Sequence, residues 1–465
     1  MNKISYILVF YLIFFFGSYK LTLARSQVWK VISLFDLEGG ILYSTSSCST
    51  TGHNGTNPII EDINKVEITK KFNKINVISK SYEMKGCKIQ GLIVNIDPDV
   101  FHRDNVNNLD SLDEEFLIKY IDQYSNSSVT DIMLCVNTHV SSFKSKVRMD
   151  FVDKYFQKKE NGIEVNYTHS RAAIAYKYYE VLGVDMFKVW IDHLRKNNIN
   201  PWFSFRMNDT HHHTEKANVI LSDYFHENVN TYSRILYRDN TIYRGDRSFD
   251  YSIKEVRNEM LAYIEEAVTL YDLYGIELDW MRDPIYTKTG YEDAHSGLLT
   301  QFMRDIKKIV VEAGEKWGHE IKISVRCPRD IQVTLDLGFD VLTWVAEGLI
   351  DQLTPSQYFY TDNTIPVETW KKILAPYSID LVPSISDMEF SPLGTSIHNA
   401  FTYFLWGRIS RISNNVETAA GTAASYFSQG ADKVYIFNLY GNASNPISQS
   451  QKVYTDVIYL LIWTS

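Results

Sequence analysis

The stretch Gly275-Ile276-Glu277-Leu278-Asp279-Trp280-Met281-Arg282-Asp283-Pro284 sets two carboxylates two residues apart in a run that otherwise reads as a strand. Side chains alternate along a strand, so Glu277 and Asp279 share one side and Ile276 and Leu278 the other. With the apolar pair packed outward, both acids point into an enclosed space. Burying them costs free energy unless they are paired or hydrogen-bonded, and their mutual repulsion drives their pKa values apart. One acid that keeps its proton beside one that does not is what acid–base catalysis requires. A structural reading competes: Glu277 and Asp279 would form an ion-pair network with Arg206, Arg282 or Arg326 that holds the fold closed. The two readings are compatible if only one acid reacts.

A second segment, Trp202-Phe203-Ser204-Phe205-Arg206-Met207-Asn208-Asp209-Thr210-His211-His212-His213, puts Arg206, Asn208 and His211 at or just past a strand end. They offer a guanidinium, an amide and an imidazole to ligand hydroxyls. Three adjacent histidines also invite a zinc reading. The chain has no H-x-x-x-H on a helix, however, and neighbouring loop side chains diverge, so no metal or other cofactor is expected.

The elements that must position these groups repeat from Gly91 onward, where short apolar runs alternate with longer amphipathic segments. That is the pattern of βα units on a parallel sheet. Eight strands are predicted, over residues 92–96, 131–136, 201–206, 275–280, 321–326, 350–358, 380–385 and 433–438. Eight is the number that closes a (β/α)₈ TIM barrel, whose sites lie at the C-terminal ends of the strands. Helical spacing marks 254–274 and 298–317. The polar connection over 208–250 reads as a long loop on the site face. Strand ends further supply Asn95, Asp97 and Asp99, then Asn137 and His139, Arg326, Gln357, Tyr358 and Tyr360, Asp387 and Glu389, and Asn438 and Tyr440. Trp280 or Tyr358 could stack on a sugar ring.

The chain has 465 residues, 45% hydrophobic and 22% charged, enough for a large barrel plus a small appendage. A net charge of -9 without a basic stripe argues against nucleic acid as a partner. Asn2-Lys3, the apolar run from Ile4 to Phe16 and the small residues at Thr22-Leu23-Ala24 read as a signal peptide over 1–24. The expectation is a secreted, extracellular, periplasmic or cell-surface protein without stable membrane insertion after cleavage. Residues 25–88 read as a β-rich N-terminal extension and 89–465 as the barrel, with room for one closing helix after the eighth strand. Sequons stand at Asn54, Asn126, Asn166, Asn208 and Asn442. Of four cysteines, Cys48 and Cys87 are the pair considered for a disulfide, whereas Cys135 and Cys327 read as buried thiols.

At these residues the chain resembles the glycosyl-hydrolase-like TIM-barrel proteins often called glycosyl-hydrolase-like family 10. The matching stretches are 91–99, 131–147, 203–211 and 255–284, with less specific similarity over 322–328, 350–360 and 432–440. The resemblance implies a (β/α)₈ fold and glycosidic-bond hydrolysis, and leaves the substrate undefined. It implies a carboxylate at the end of strand four, here Asp279 or Glu277, with Asp387, Glu389 or Glu347 as candidate partners. The expectation is therefore a secreted glycoside hydrolase acting on a poly- or oligosaccharide by carboxylate chemistry, with Asp279 and Glu277 catalytic. Arg206, Asn208, His211, Trp280, Arg282, Arg326, Tyr358 and Asn438 are the expected substrate contacts. The alternatives are a non-catalytic carbohydrate-binding barrel and a metal-dependent hydrolase using the histidine run.

Overall fold

A computed structural model of the chain describes residues 91–162, 169–215, 218–234, 244–357, 361, 363–386 and 416–437, together with the backbone of seven strands outside those stretches. Eight barrel strands follow the predicted runs closely. They are β1 (Leu92–Ile96), β2 (Val129–Cys135), β3 (Asn200–Arg206), β4 (Gly275–Asp279), β5 (Lys322–Pro328), β6 (Gln352–Ser356), β7 in two pieces (Asp380–Leu381 and Ser384–Ser386) and β8 (Val434–Phe437). Each pairs in parallel with its predecessor, and β8 returns to β1 with Val434 opposite Leu92.

The ring closes through β7. Its first piece pairs with β6 and its second with β8, and the break falls at Val382-Pro383, where proline has no N–H to give. The Val382 N–H still donates to the Leu353 carbonyl at 2.9 Å, and the Tyr435 N–H donates to the Pro383 carbonyl at 3.1 Å. The chain therefore forms a (β/α)₈ barrel.

A helix precedes each strand from β2 to β8: α1 (Glu114–Asp122), α2 (Met186–Lys196), α3 (Lys254–Leu270), α4 (Glu292–Trp317), α5 (Val341–Ala346), α6 (Val367–Leu374) and α7 (Val416–Ser428). Helix α3 stops four residues short of the predicted 254–274 because Tyr271 is extended, at φ -123° and ψ 134°. Helix α4 starts six residues before the predicted 298, and ends at Gly318, whose φ of 80° a side chain would resist.

Alternation along the strands sorts the core into two layers. Phe203, Phe205, Ile276, Leu278, Ile323 and Val325 face outward and pack with Tyr263, Ile264 and Ala267 of α3. A separate inner cluster holds Ile93, Met133, Trp202, Val382, Tyr435 and Phe437. Each large apolar side chain so buried contributes about 1.5–3 kcal/mol. Trp202 fills the lower interior, which is why residue 275 is glycine: a Cβ there would lie 2.3 Å from the indole ring.

Before the barrel, Lys20–Arg25, Trp29–Phe35 and Ile41–Cys48 form a three-stranded antiparallel sheet, and Ile68–Lys71 pairs with Lys74–Val77. Residues 1–19, Cys87, the sequons at Asn54, Asn166 and Asn442, and the expected closing helix lie outside the described residues. Among the described residues no helix is long and apolar enough to cross a membrane.

Candidate active site at the barrel mouth

Glu277 and Asp279 both point into the barrel, as the alternation on β4 requires, and both are buried. Glu277 occupies the middle layer. Its Oε1 accepts the Ser204 hydroxyl at 2.6 Å from neighbouring β3 and the Tyr435 hydroxyl at 2.8 Å from β8, whereas Oε2 has no hydrogen-bond partner. Burial first, and the adjacent Asp279 second, push Glu277 up to about 7 against these two hydrogen bonds and the charge of Arg326. A carboxylic acid that holds its proton near neutrality thus sits at the centre of the barrel.

Asp279, one pleat nearer the mouth, is tied down on both oxygens. Arg326 Nη1 donates to Oδ1 and Oδ2 at 3.0 and 3.1 Å, the Met281 N–H donates to Oδ1 at 3.0 Å, and Arg282 Nε lies 3.6 Å from Oδ2. Arg326 is wholly buried, donates also to Ser356 Oγ and the Gln357 carbonyl, and lies 3.7 Å over the Phe437 ring. The guanidinium of Arg282 lies over the same ring at 5.0 Å. The ion pair anticipated as the structural reading is therefore present for Asp279, with Arg326 as the partner. Glu277 stands outside it. The next residue beyond Asp279 on this face, Met281, carries no charge.

On β3, Arg206 is opposite Asp279 in the parallel register. Its Nη1 donates to Asp209 Oδ2 at 2.7 Å and its Nη2 to Asp97 Oδ2 at 2.5 Å. Burial would raise the Asp97 carboxyl, but Arg206 and Arg171 outweigh it and hold it well below the usual range. The same contest at Asp209 goes the same way, with His211 and Arg206 opposing burial. Asn137 clamps this strand end, its amide bonding both the N–H and the carbonyl of Arg206 at 3.0 Å. Asp283, at φ 50°, accepts the Thr210 N–H at 3.1 Å and the Thr210 hydroxyl at 2.7 Å, so the loops after β3 and β4 are stitched together.

Behind Arg206 lies a cavity of about 20 Å³ whose walls include His139, Tyr224, Asn208 and Glu259. Arg206 Nε, His139 Nε2 and the Tyr224 hydroxyl are buried there without a protein partner. The space suffices for one water. Burial pushes the His139 imidazole down to about 4, so it is neutral.

Several expected contacts are placed otherwise. Trp280 is buried outside the sheet in an aromatic cluster with Tyr251, Tyr286, Phe302, Phe339 and Trp344, with ring centroids 4.6–6.2 Å away, and cannot stack on a ligand in the barrel. The alternation that turns Glu277 and Asp279 inward turns Trp280 outward. Asn208 is buried, and its amide exchanges hydrogen bonds with the backbone of Phe249 at 3.0 and 3.1 Å. It pins the long loop, and is neither a free donor nor an accessible glycosylation acceptor. Glu347 sits at the end of α5 on the outer surface, bidentate to Arg304 of α4 at 2.7 Å, and is no partner for the barrel acids. Tyr358, Asn438 and Asp387 lie outside the described residues, as does the side chain of Glu389.

The three histidines turn to three different partners: His211 to Asp209, His212 to Glu215 and His213 to the Thr210 carbonyl. Cys135 and Cys327 are buried free thiols. Sequence reading did not single out Tyr435, Phe437 or Asp209. The alternation Val434-Tyr435-Ile436-Phe437 carries the signal for the first two, since apolar Val and Ile facing the helices leave Tyr435 and Phe437 facing in.

No family model and no curated protein matches the chain. Among solved structures it is similar to a glycoside hydrolase family 18 N-acetylglucosaminidase from Paenibacillus barengoltzii, at 12% identity and TM-score 0.39, over 79% of this chain and 99% of that one. It is also similar to the cell-surface chitinase ChiW from Paenibacillus sp. str. FPU-7, at 10% identity and TM-score 0.44, over 95% and 39% of the respective chains. A glycoside hydrolase family 138 enzyme targeting pectin rhamnogalacturonan II is similar at 12% identity and TM-score 0.43, over 84% and 40%.

Proposed function

We propose that the protein is a glycoside hydrolase whose general acid is Glu277. The observation that carries this reading is a fully buried carboxyl, pushed up to about 7, on the strand-four face that also carries Asp279. A group titrating there can donate a proton to a glycosidic leaving oxygen at neutral pH. Asp279, fixed by Arg326, supplies negative charge beside the oxocarbenium-like centre that develops as the bond breaks. His211, partly exposed just past β3, stands at the mouth beside these acids, and Arg206 and Arg282 are buried in ion pairs with Asp97, Asp209 and Asp279. The substrate class is a poly- or oligosaccharide, in line with the family-10-like motifs. The N-terminal apolar run supports a secretory route for it.

A second reading, a barrel that binds carbohydrate without cleaving it, is favoured by one observation: both Asp279 oxygens are already occupied by protein donors. Release of reducing sugar from a broad glycan panel separates the two, with wild type run beside Glu277→Gln and Asp279→Asn and folding checked by circular dichroism. Loss of about 10²–10⁴-fold in a folded Glu277→Gln protein supports the hydrolase. Binding of a glycan that no preparation cleaves supports the second reading.

A further inference from the structure

We propose that His211 is a second proton-transfer residue at the barrel mouth, a general base turned outward by Asp209, which Arg206 holds in place. The inference rests on the hydrolase reading above. His211 Nδ1 lies 2.7 Å from Asp209 Oδ1, and the same oxygen accepts the His211 backbone N–H at 2.9 Å. The other oxygen of Asp209 is held by Arg206 at 2.7 Å. Asp209 is buried, whereas the His211 side chain is 29% exposed, and no hydrogen bond among the described residues engages its Nε2. A carboxylate that accepts Nδ1–H fixes the tautomer with the lone pair on Nε2, which is the role of the aspartate in Ser-His-Asp hydrolases.

The neighbouring histidines show that this orientation is particular to position 211. His212 pairs with Glu215 at the exposed edge, and the Nε2 of His213 is buried. The charged or titratable groups facing the unit are Arg206 from β3, Arg282 from the turn after β4, the buried neutral His139 from the loop after β2, which is in contact with Asp209, and, through Arg206, Asp97 from the end of β1. Asp283 holds the intervening Thr210. The unit is thus assembled before any ligand arrives.

Hydrolysis moves two protons, and the two buried strand-four acids account for one. Glu277 gives its proton to the leaving oxygen as the glycosidic C–O bond breaks. The attacking water forms its bond to the anomeric carbon and gives a proton to His211 Nε2, while Asp279 stays ion-paired with Arg326. The protein is left with a glutamate and an imidazolium, and solvent returns the proton from the second to the first.

The test is the pH profile of kcat/KM on a glycan that wild type cleaves, for wild type, His211→Asn, Asp209→Asn and His212→Asn. We expect His211→Asn to lose about 10²–10⁴-fold and with it the acidic limb of the profile. Asp209→Asn should lose activity and move that limb, and His212→Asn should match wild type. Added imidazole should restore part of the activity of His211→Ala, which a purely structural role would not allow. A folded His211→Asn protein with an unchanged profile and activity within roughly twofold of wild type overturns the inference and leaves the hydrolase intact, provided Glu277→Gln is inactive. A wild type that cleaves no glycan removes the hydrolase reading, and this inference with it.

Discussion

Tyr435 on β8 and Glu277 on β4, on opposite sides of the ring, are joined through the centre of the barrel by a 2.8 Å hydrogen bond. The tyrosine thereby stabilises the ionised form of an acid that burial drives toward neutrality. Tyr435→Phe removes that donor, so Glu277 should titrate higher and the alkaline limb of the activity profile should move up in pH. Leaving one buried acceptor with the Ser204 hydroxyl alone should also destabilise the fold by about 1–3 kcal/mol, read from urea unfolding. An unmoved limb would show that Glu277 does not set it.

The raised pKa of Glu277 has a thermodynamic counterpart. Its folded value, about 7 against an ordinary 4.5, means that the native state holds the proton more tightly than the unfolded chain. The contribution is fully present below about 4.5 and is lost as pH rises through about 7. At 1.36 kcal/mol per pH unit it amounts to about 3 kcal/mol. His102 and His139, both pushed down to about 4 by burial, slope the other way, because their contribution is lost as pH falls from about 6.5 toward 4. Only the difference between wild type and Glu277→Gln isolates the glutamate. That difference should change steadily between about pH 4.5 and 7, and a flat difference would contradict the assignment.

Asp279 and Arg326 should behave as a unit. Removing one member of a buried pair leaves an uncompensated charge, at about 3–5 kcal/mol. Arg326→Met alone should therefore be severely destabilised. The double variant Arg326→Met, Asp279→Asn should recover a substantial part of that loss, measured as a coupling energy in a double-mutant cycle. Additivity of the two would mean that the pair carries no coupling.

Trp280→Phe gives the opposite dissociation. Its indole lies in the aromatic layer between sheet and helices, so the change should lower thermal stability by about 1–3 kcal/mol while KM for a cleaved glycan stays at the wild-type value. A raised KM at unchanged stability would put the indole in the ligand's path.

How far these relationships can be read from sequence depends on what sets them. Local periodicity places all eight strands and the inward side of β4, because both follow from which residues face the helices. The partners of Glu277 do not follow, since Tyr435 is 158 residues away and meets it only when the ring closes. The parallel register sets both Arg326 and Arg206 beside Asp279, and the choice between them follows from contacts distant in sequence, because Arg206 is held by Asp97 and Asp209 while Arg326 takes Asp279. Beside two acids Trp280 reads as a sugar platform, although its parity on the strand already turns it outward. Asn208 looks free in sequence because its partner, the Phe249 backbone, lies 41 residues on.

The pairing of Val434 with Leu92 has a consequence for how the molecule is made. Until β8 has left the ribosome, β1 presents a bare row of amides and carbonyls, the kind of edge on which chains aggregate. The cylinder cannot be finished piecemeal from the amino end, and nascent chains lacking β8 should depend on a chaperone to mask that edge.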